Sequence, residues 1–164
     1  YCGLIVTPKG VKVIEFNARF GDPEAMNVLT LLQSGFLEVC QGVADGKLSR
    51  DVPFLRKATV CKYVVPAGYG TESKAGRPVM VNEERLKATG ARLYYAAVEE
   101  KDGVVLTTSS RTLGVVGMAD SIDEAEEICE AGLGYVQGDI FVRHDIGKRE
   151  LLRRRVEHMR QVRG

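Results

Sequence analysis

Between residues 58 and 118 the chain is cut into short β-favouring runs by glycine and proline turns, and few folds accept that pattern. The runs are Ala58 to Val65, Pro78 to Val81, Leu93 to Val98, Val104 to Thr108 and Leu113 to Met118. A glycine-rich loop from Pro66 to Gly76 separates the first two, and Asp102-Gly103 turns between two later ones. Short strands joined by tight turns pair antiparallel, and helical segments flank them. Two further strands are expected at Cys2 to Thr7 and Val11 to Phe16, with Pro8-Lys9-Gly10 turning between them. The expected class is therefore α+β.

Helices are expected on either side of the β-rich stretch. Asp22-Pro23-Glu24 has the chemistry of a helix start: Asp22 suits the cap, Pro23 the first turn and Glu24 the positive end of the dipole. That helix should carry Met26, Leu29 and Leu32 as far as Ser34-Gly35, followed by a second near Phe36 to Asp45. Lys47 to Pro53 reads as a connector. A helix from about Ile122 to Leu133 has Ser121 or Asp120 as its cap, and an arginine-rich helix runs from about Gly147 to Val162. On that last helix Leu152, Val156 and Met159 make one apolar stripe, and Glu150 can pair with Arg154. A packing or dimer contact fits it better than nucleic-acid binding.

Composition narrows the function classes. The chain is 45% hydrophobic and 27% charged, as soluble globular proteins are. Its net charge of +1 provides no field to recruit nucleic acid or an acidic membrane. No apolar run approaches the roughly 18 residues that span a bilayer. Cys2, Cys40, Cys61 and Cys129 form no C-x-x-C pair and sit in largely apolar sequence, so reduced thiols in a cytoplasmic protein are expected. The chain starts at Tyr1, directly before a strand, and reads as a piece of a longer protein that alone would lack activity.

The stretch that carries chemistry is Val13-Ile14-Glu15-Phe16-Asn17-Ala18-Arg19-Phe20-Gly21-Asp22-Pro23-Glu24. On a strand, alternate side chains share a face. Glu15 and Asn17 should point one way, with Ile14 and Phe16 pointing the other way into a core. A carboxylate and an amide oxygen are hard donors of the kind Mg²⁺ prefers, and that ion often takes only one or two ligands from protein. Arg19 falls on the same face if the strand continues, where a guanidinium would suit phosphate oxygens. Acidic residues at strand ends are common, so spacing alone leaves an ordinary strand end open.

The string EFNARFGDPE, preceded by GLIVTPKGVKV, resembles the metal-binding strand of the phosphoribosylamine–glycine ligases, ATP-grasp enzymes of purine biosynthesis. KATVCKYVVPAGYG resembles the start of that family's C-terminal domain, Ser110-Arg111-Thr112-Leu113 its G-G-R-V-L segment, and Phe141 to Gly147 its closing R-x-D-I-G motif. Two departures stand out: the loop reads A-G-Y-G rather than G-G-Y-P, and Ser109-Ser110 replace a glycine pair. The resemblance implies the second half of an ATP-grasp lobe over residues 1–52, with antiparallel strands and helices. Residues 53–164 would then be a small β-rich domain of barrel-sandwich type. It implies Glu15 and Asn17 as ligands of Mg²⁺ or Mn²⁺, Arg19 as a catalytic phosphate contact, and Gly68, Tyr69 and Lys74 or Arg77 on the substrate side.

The implied reaction joins glycine to 5-phosphoribosylamine with ATP, through glycyl phosphate, in a monomer or homodimer. Other ATP-grasp ligases or carboxylases, and a non-catalytic β-rich interaction domain, are the rival readings. An intact Glu15, Asn17 and Arg19 set argues against the last of them.

Overall fold

The computed structural model describes residues 1–48 and 51–164. The expected connector Lys47 to Pro53 includes residues 49 and 50, which lie outside the described residues.

The chain opens with an antiparallel hairpin, β1 (Cys2–Thr7) and β2 (Gly10–Phe16). Gly3 faces Glu15 and Leu4 faces Val13, so Ile14 is an extra residue without a counterpart and the pair carries a bulge there. No third strand joins this sheet among the described residues. The expectation that Ile14 and Phe16 enter a core is therefore corrected: they are 65% and 78% exposed. At this end of the two-stranded ribbon no second layer covers these two side chains among the described residues.

After the hairpin come α1 (Glu24–Leu29) and α2 (Phe36–Ala44). The first ends well short of Ser34-Gly35, with Thr30 as its C-cap, and Leu32 instead bridges to Phe54. Asp22 is not its cap. Pro23 occupies the N-cap position, the Asp22–Pro23 peptide is cis, and the Asp22 carboxylate is taken up by distant partners described below.

The remainder is built from two four-stranded antiparallel sheets. One has the order β10–β3–β8–β5, formed by β3 (Ala58–Pro66), β5 (Arg92–Tyr95), β8 (Leu113–Ala119) and β10 (Ile140–Val142). The other has the order β6–β7–β4–β9, formed by β4 (Pro78–Val81), β6 (Val98–Lys101), β7 (Val104–Thr107) and β9 (Val136–Gly138). The single strand expected over Leu93 to Val98 divides at Ala96-Ala97. There the backbone amides bond to Thr112 and Arg111, and the chain passes from one sheet to the other.

Helix α3 (Glu83–Ala88) was not expected. Its signal was Asn82, whose side chain accepts from the Arg85 amide, followed by two glutamates in the first turn. Helix α4 (Ile122–Leu133) begins in a capping box between Ser121 and Glu124. Its apolar face lies on β8 and β3, closing a core of Val64, Leu86, Leu113, Val115, Ala125 and Cys129. The closeness is set by Gly117, where a Cβ would fall 1.9 Å from the Ala125 carbonyl oxygen.

The last helix, α5 (Arg149–Arg163), begins two residues later than expected and reaches back to the hairpin. Val6, Pro8, Val11, Met159 and Arg163 line a hollow of about 450 Å³ between them. Arg154 and Glu150 lie 4.0 Å apart, as their spacing predicts.

One core position has no counterpart in the expected pattern. Lys62, in the middle of β3, is fully buried. Its ammonium donates to Glu126 at 2.6 Å, to Glu130 at 2.5 Å and to the His144 carbonyl at 2.9 Å, which uses all three protons. His144 also meets Glu130 at 2.9 Å, and Lys148 meets Glu126 at 3.2 Å. Burial resists ionisation of Glu130, but the hydrogen bonds from Lys62 and His144 outweigh it and hold the carboxyl below its ordinary value.

Candidate functional site

The carboxylate and amide predicted from the sequence sit at the open end of β2. The bulge at Ile14 lies before Glu15, and from there the ladder is regular: Glu15 faces Gly3, Phe16 faces Cys2, and the Asn17 amide donates to the Tyr1 carbonyl at 2.8 Å. Strand alternation therefore puts Glu15 and Asn17 on one face. Glu15 is exposed and Asn17 half-buried.

These residues can be tested as metal ligands on two observations. Both offer hard oxygens, the donor type of Mg²⁺ and Mn²⁺. The Asn17 Nδ2 is buried with no hydrogen-bond partner among the described residues, an orphaned donor that an acceptor such as a phosphate oxygen or water would satisfy. Among the described residues no group of three or more His, Cys, Asp or Glu could hold a metal. Glu15 and Asn17 therefore fit one side of a site that phosphates and water would complete, and not a closed all-protein cage.

Arg19 is placed differently from expectation. The strand does not continue to it; the chain bends at Ala18 and Arg19. The Arg19 guanidinium donates to the Phe20 carbonyl at 3.0 Å, so its orientation is set locally rather than by β alternation.

The loop after β3 is fixed by its backbone. Thr71 and Glu72 amides donate to the Gly68 carbonyl, and Lys74 donates to the Ala67 carbonyl. Gly68 has a φ of 76°, and a Cβ there would fall 2.1 Å from the Glu72 carbonyl oxygen. Only glycine suits both constraints. Tyr69 is exposed at the loop's outer side, and Lys74 pairs with Asp139 at 3.3 Å. The Arg77 amide donates to Thr107 Oγ1 on β7 at 3.1 Å.

The link between the hairpin corner and the β-rich part runs through a residue that had been read only as a helix cap. Asp22 Oδ1 accepts from the Tyr63 hydroxyl at 2.5 Å, and Oδ2 accepts from Arg111 Nη1 at 2.8 Å. The Arg111 guanidinium also lies over the Tyr63 ring, 5.2 Å from its centroid. Burial opposes the Arg111 charge, but Asp22 and the nearby Tyr69 outweigh it and raise its pKa. The three members of this cluster stand 41 and 89 residues apart in sequence, so no local pattern announces it.

Helix α1 adds further ties. Asn27 donates to Thr59 Oγ1 at 3.0 Å, and the Thr30 and Tyr94 hydroxyls are 3.1 Å apart. The cysteines do not enter the chemistry: all four are free thiols, and burial pushes Cys61 and Cys129 up to about 12.

Comparison with known proteins gives a consistent result. The chain is 51% identical to the phosphoribosylamine–glycine ligase of Methanocaldococcus jannaschii over 164 residues, 99% of this chain and 37% of that protein. It is 52% identical to the enzyme of the same name from Methanocella arvoryzae, over all of this chain and 37% of the relative. The chain thus spans about 37% of the length of these curated relatives. Among solved structures, the phosphoribosylamine–glycine ligase of Thermotoga maritima superposes with a TM-score of 0.74 at 25% identity, over 88% of this chain and 36% of that one. A family model described as phosphoribosylglycinamide synthetase, C domain, matches residues 59–149, more than half of the chain. By that match, which spans the sheets and the helix packed on them, the chain belongs to the phosphoribosylglycinamide synthetase C-domain family.

Proposed function

We propose that this chain contributes the cation-binding strand and the substrate-side β-rich domain of an ATP-dependent ligase that joins glycine to 5-phosphoribosylamine through glycyl phosphate. The observation that supports the reading is the regular ladder from Glu15 to Asn17 at the end of β2, whose alternation gives an acid and an amide a common face at the corner that Asp22 ties to the family domain.

In this reading residues 1–52 close an ATP-grasp lobe, and residues 53–164 form the barrel-sandwich domain beside it. Glu15 and Asn17 hold a Mg²⁺ or Mn²⁺ ion that accompanies ATP. Neutralising charge on the transferred phosphoryl group is what that ion supplies when bound. Arg19 presents the guanidinium donors not used on Phe20 to phosphoryl oxygens. Gly68 shapes the loop that carries Tyr69 and Lys74 toward the acceptor substrate, and Lys74 exchanges Asp139 for an anionic group there. No enzyme nucleophile is needed, because the acyl phosphate is itself the activated species. Purine biosynthesis is the process this reaction serves.

The test uses the full-length protein that contains this chain. Glu15→Gln should lower glycine-dependent ADP release by about a hundredfold. It should also weaken Mn²⁺ binding in the presence of ATP, read by electron paramagnetic resonance. Unchanged Mn²⁺ affinity in that variant would remove Glu15 from the site.

A further inference from the structure

We infer that Asp22, Tyr63 and Arg111 form a clamp that positions the Glu15–Asn17–Arg19 corner against the substrate-side loop of the β-rich domain. The inference deepens the proposed ligase reading and rests on it for its kinetic arm only.

Three features carry it. The first is engagement of the carboxylate: each Asp22 oxygen has its own donor, one phenolic and one charged, so both oxygens are tied to the β-rich part. The second is where the donors are rooted. Tyr63 lies in the middle of β3, and Arg111 directly precedes Thr112, whose amide donates to the Val64 carbonyl at 3.0 Å and whose side chain is buried. Tyr63 thus issues from β3 and Arg111 from the segment leading into β8, and both reach the one residue that follows Gly21 at the end of the corner.

The third is redundancy. Helix α1 is already docked by Asn27 on Thr59, by Thr30 on Tyr94, and by Met26, whose thioether lies where a side chain at Gly114 would be. Holding α1 in place does not need the clamp. What the clamp adds is a tie from the β-rich part to residues 17–22, which leave the ladder after Asn17 and bend at Ala18 and Arg19, and whose other hydrogen bonds among the described residues run to Tyr1, Ala25 and one another. Stacking of Arg111 on Tyr63 fixes the guanidinium plane, which a lysine ammonium cannot reproduce. The loop that carries Tyr69 continues directly from β3, so the strand that bears Tyr63 also anchors that loop.

A small misplacement of reacting groups costs rate more than affinity. Asp22, Tyr63 and Arg111 are therefore positioning residues, and their loss should appear in kcat. The variants are Asp22→Asn, Tyr63→Phe, Arg111→Lys and Arg111→Met in the full-length protein, with thermal melts alongside. Asp22→Asn and Arg111→Met should each lower kcat about tenfold or more. KM for ATP and glycine should stay within about twofold, and the double variant should lose little more than either single one. Arg111→Lys should recover only part of the rate.

Hydrogen exchange provides an arm independent of activity: the amides of Asn17 and Ala25, which donate to the Tyr1 and Gly21 carbonyls on either side of the bend, should exchange at least about tenfold faster in Asp22→Asn, with those of β3 and β8 unchanged. Unchanged exchange at these two amides overturns the clamp whatever the kinetics show. So does exchange that quickens equally throughout the chain. Faster exchange confined to them, in a wild-type protein that releases no ADP with glycine and phosphoribosylamine, supports the clamp and sinks the ligase reading alone.

Discussion

The hairpin and the β-rich part use similar residues to opposite ends. In the hairpin Val11, Val13, Ile14 and Phe16 are exposed, although four of the seven residues of β2 are large and apolar. In the β-rich part Val64, Leu113, Val115 and Val116 are fully buried, because a second element covers each face. The difference lies in layers rather than composition. A strand pair presents apolar side chains; only a helix or another sheet removes them from water. The hairpin is therefore half of a packing arrangement, while the two sheets with α4 carry a complete core.

Three changes would break or sharpen that contrast. The largest effect should follow Lys62→Met. It leaves Glu126 and Glu130 facing each other at the base of α4 without their shared cation, and breaking a buried ion pair typically costs about 3–5 kcal/mol. Chemical denaturation should register that loss across β3, β8 and α4 together. A loss of under about 1 kcal/mol would mean that α4 does not depend on this buried charge.

A smaller effect should come from acid. Glu130 is held below its ordinary 4.5 in the folded state, so the stability it adds is fully present above that value and disappears as pH falls through its lowered folded value. Melting temperature should fall over that acidic window, and Glu130→Gln should flatten the fall. The smallest effect should be Phe16→Ala in this chain, within about 0.5 kcal/mol, because an exposed ring has little packing to lose. The same change in the full-length protein should cost more if the rest of the protein covers this strand, and the two measurements together locate the missing layer.

Much of the β-rich part was legible because its signals are local. The helix expected from about Ile122 with Ser121 or Asp120 as its cap begins at Ile122 with Ser121 as the cap, and Pro78 to Val81 read as a strand with the bounds observed. What failed was whatever depended on distant partners. Asp22 looked like a cap because Asp-Pro-Glu is a good local cap, but Tyr63 and Arg111 outcompete that use from far along the chain. Lys62 stood unnoticed in an apolar strand because its carboxylates lie 64 and 68 residues away. Arg19 was assigned to a face by parity that ends two residues earlier.

The extra residue at Ile14 has a consequence for how this corner tolerates change. Because one position of β2 is out of step with β1, the outer part of the ribbon and the Glu15–Asn17 end keep separate counts of which side is which. A one-residue gain or loss between the turn and Ile14 is absorbed by reshaping the irregularity. The same change between Glu15 and Asn17 would send the acid and the amide to opposite sides. The bulge acts as a buffer that isolates two exacting positions from length drift in the ribbon that leads to them.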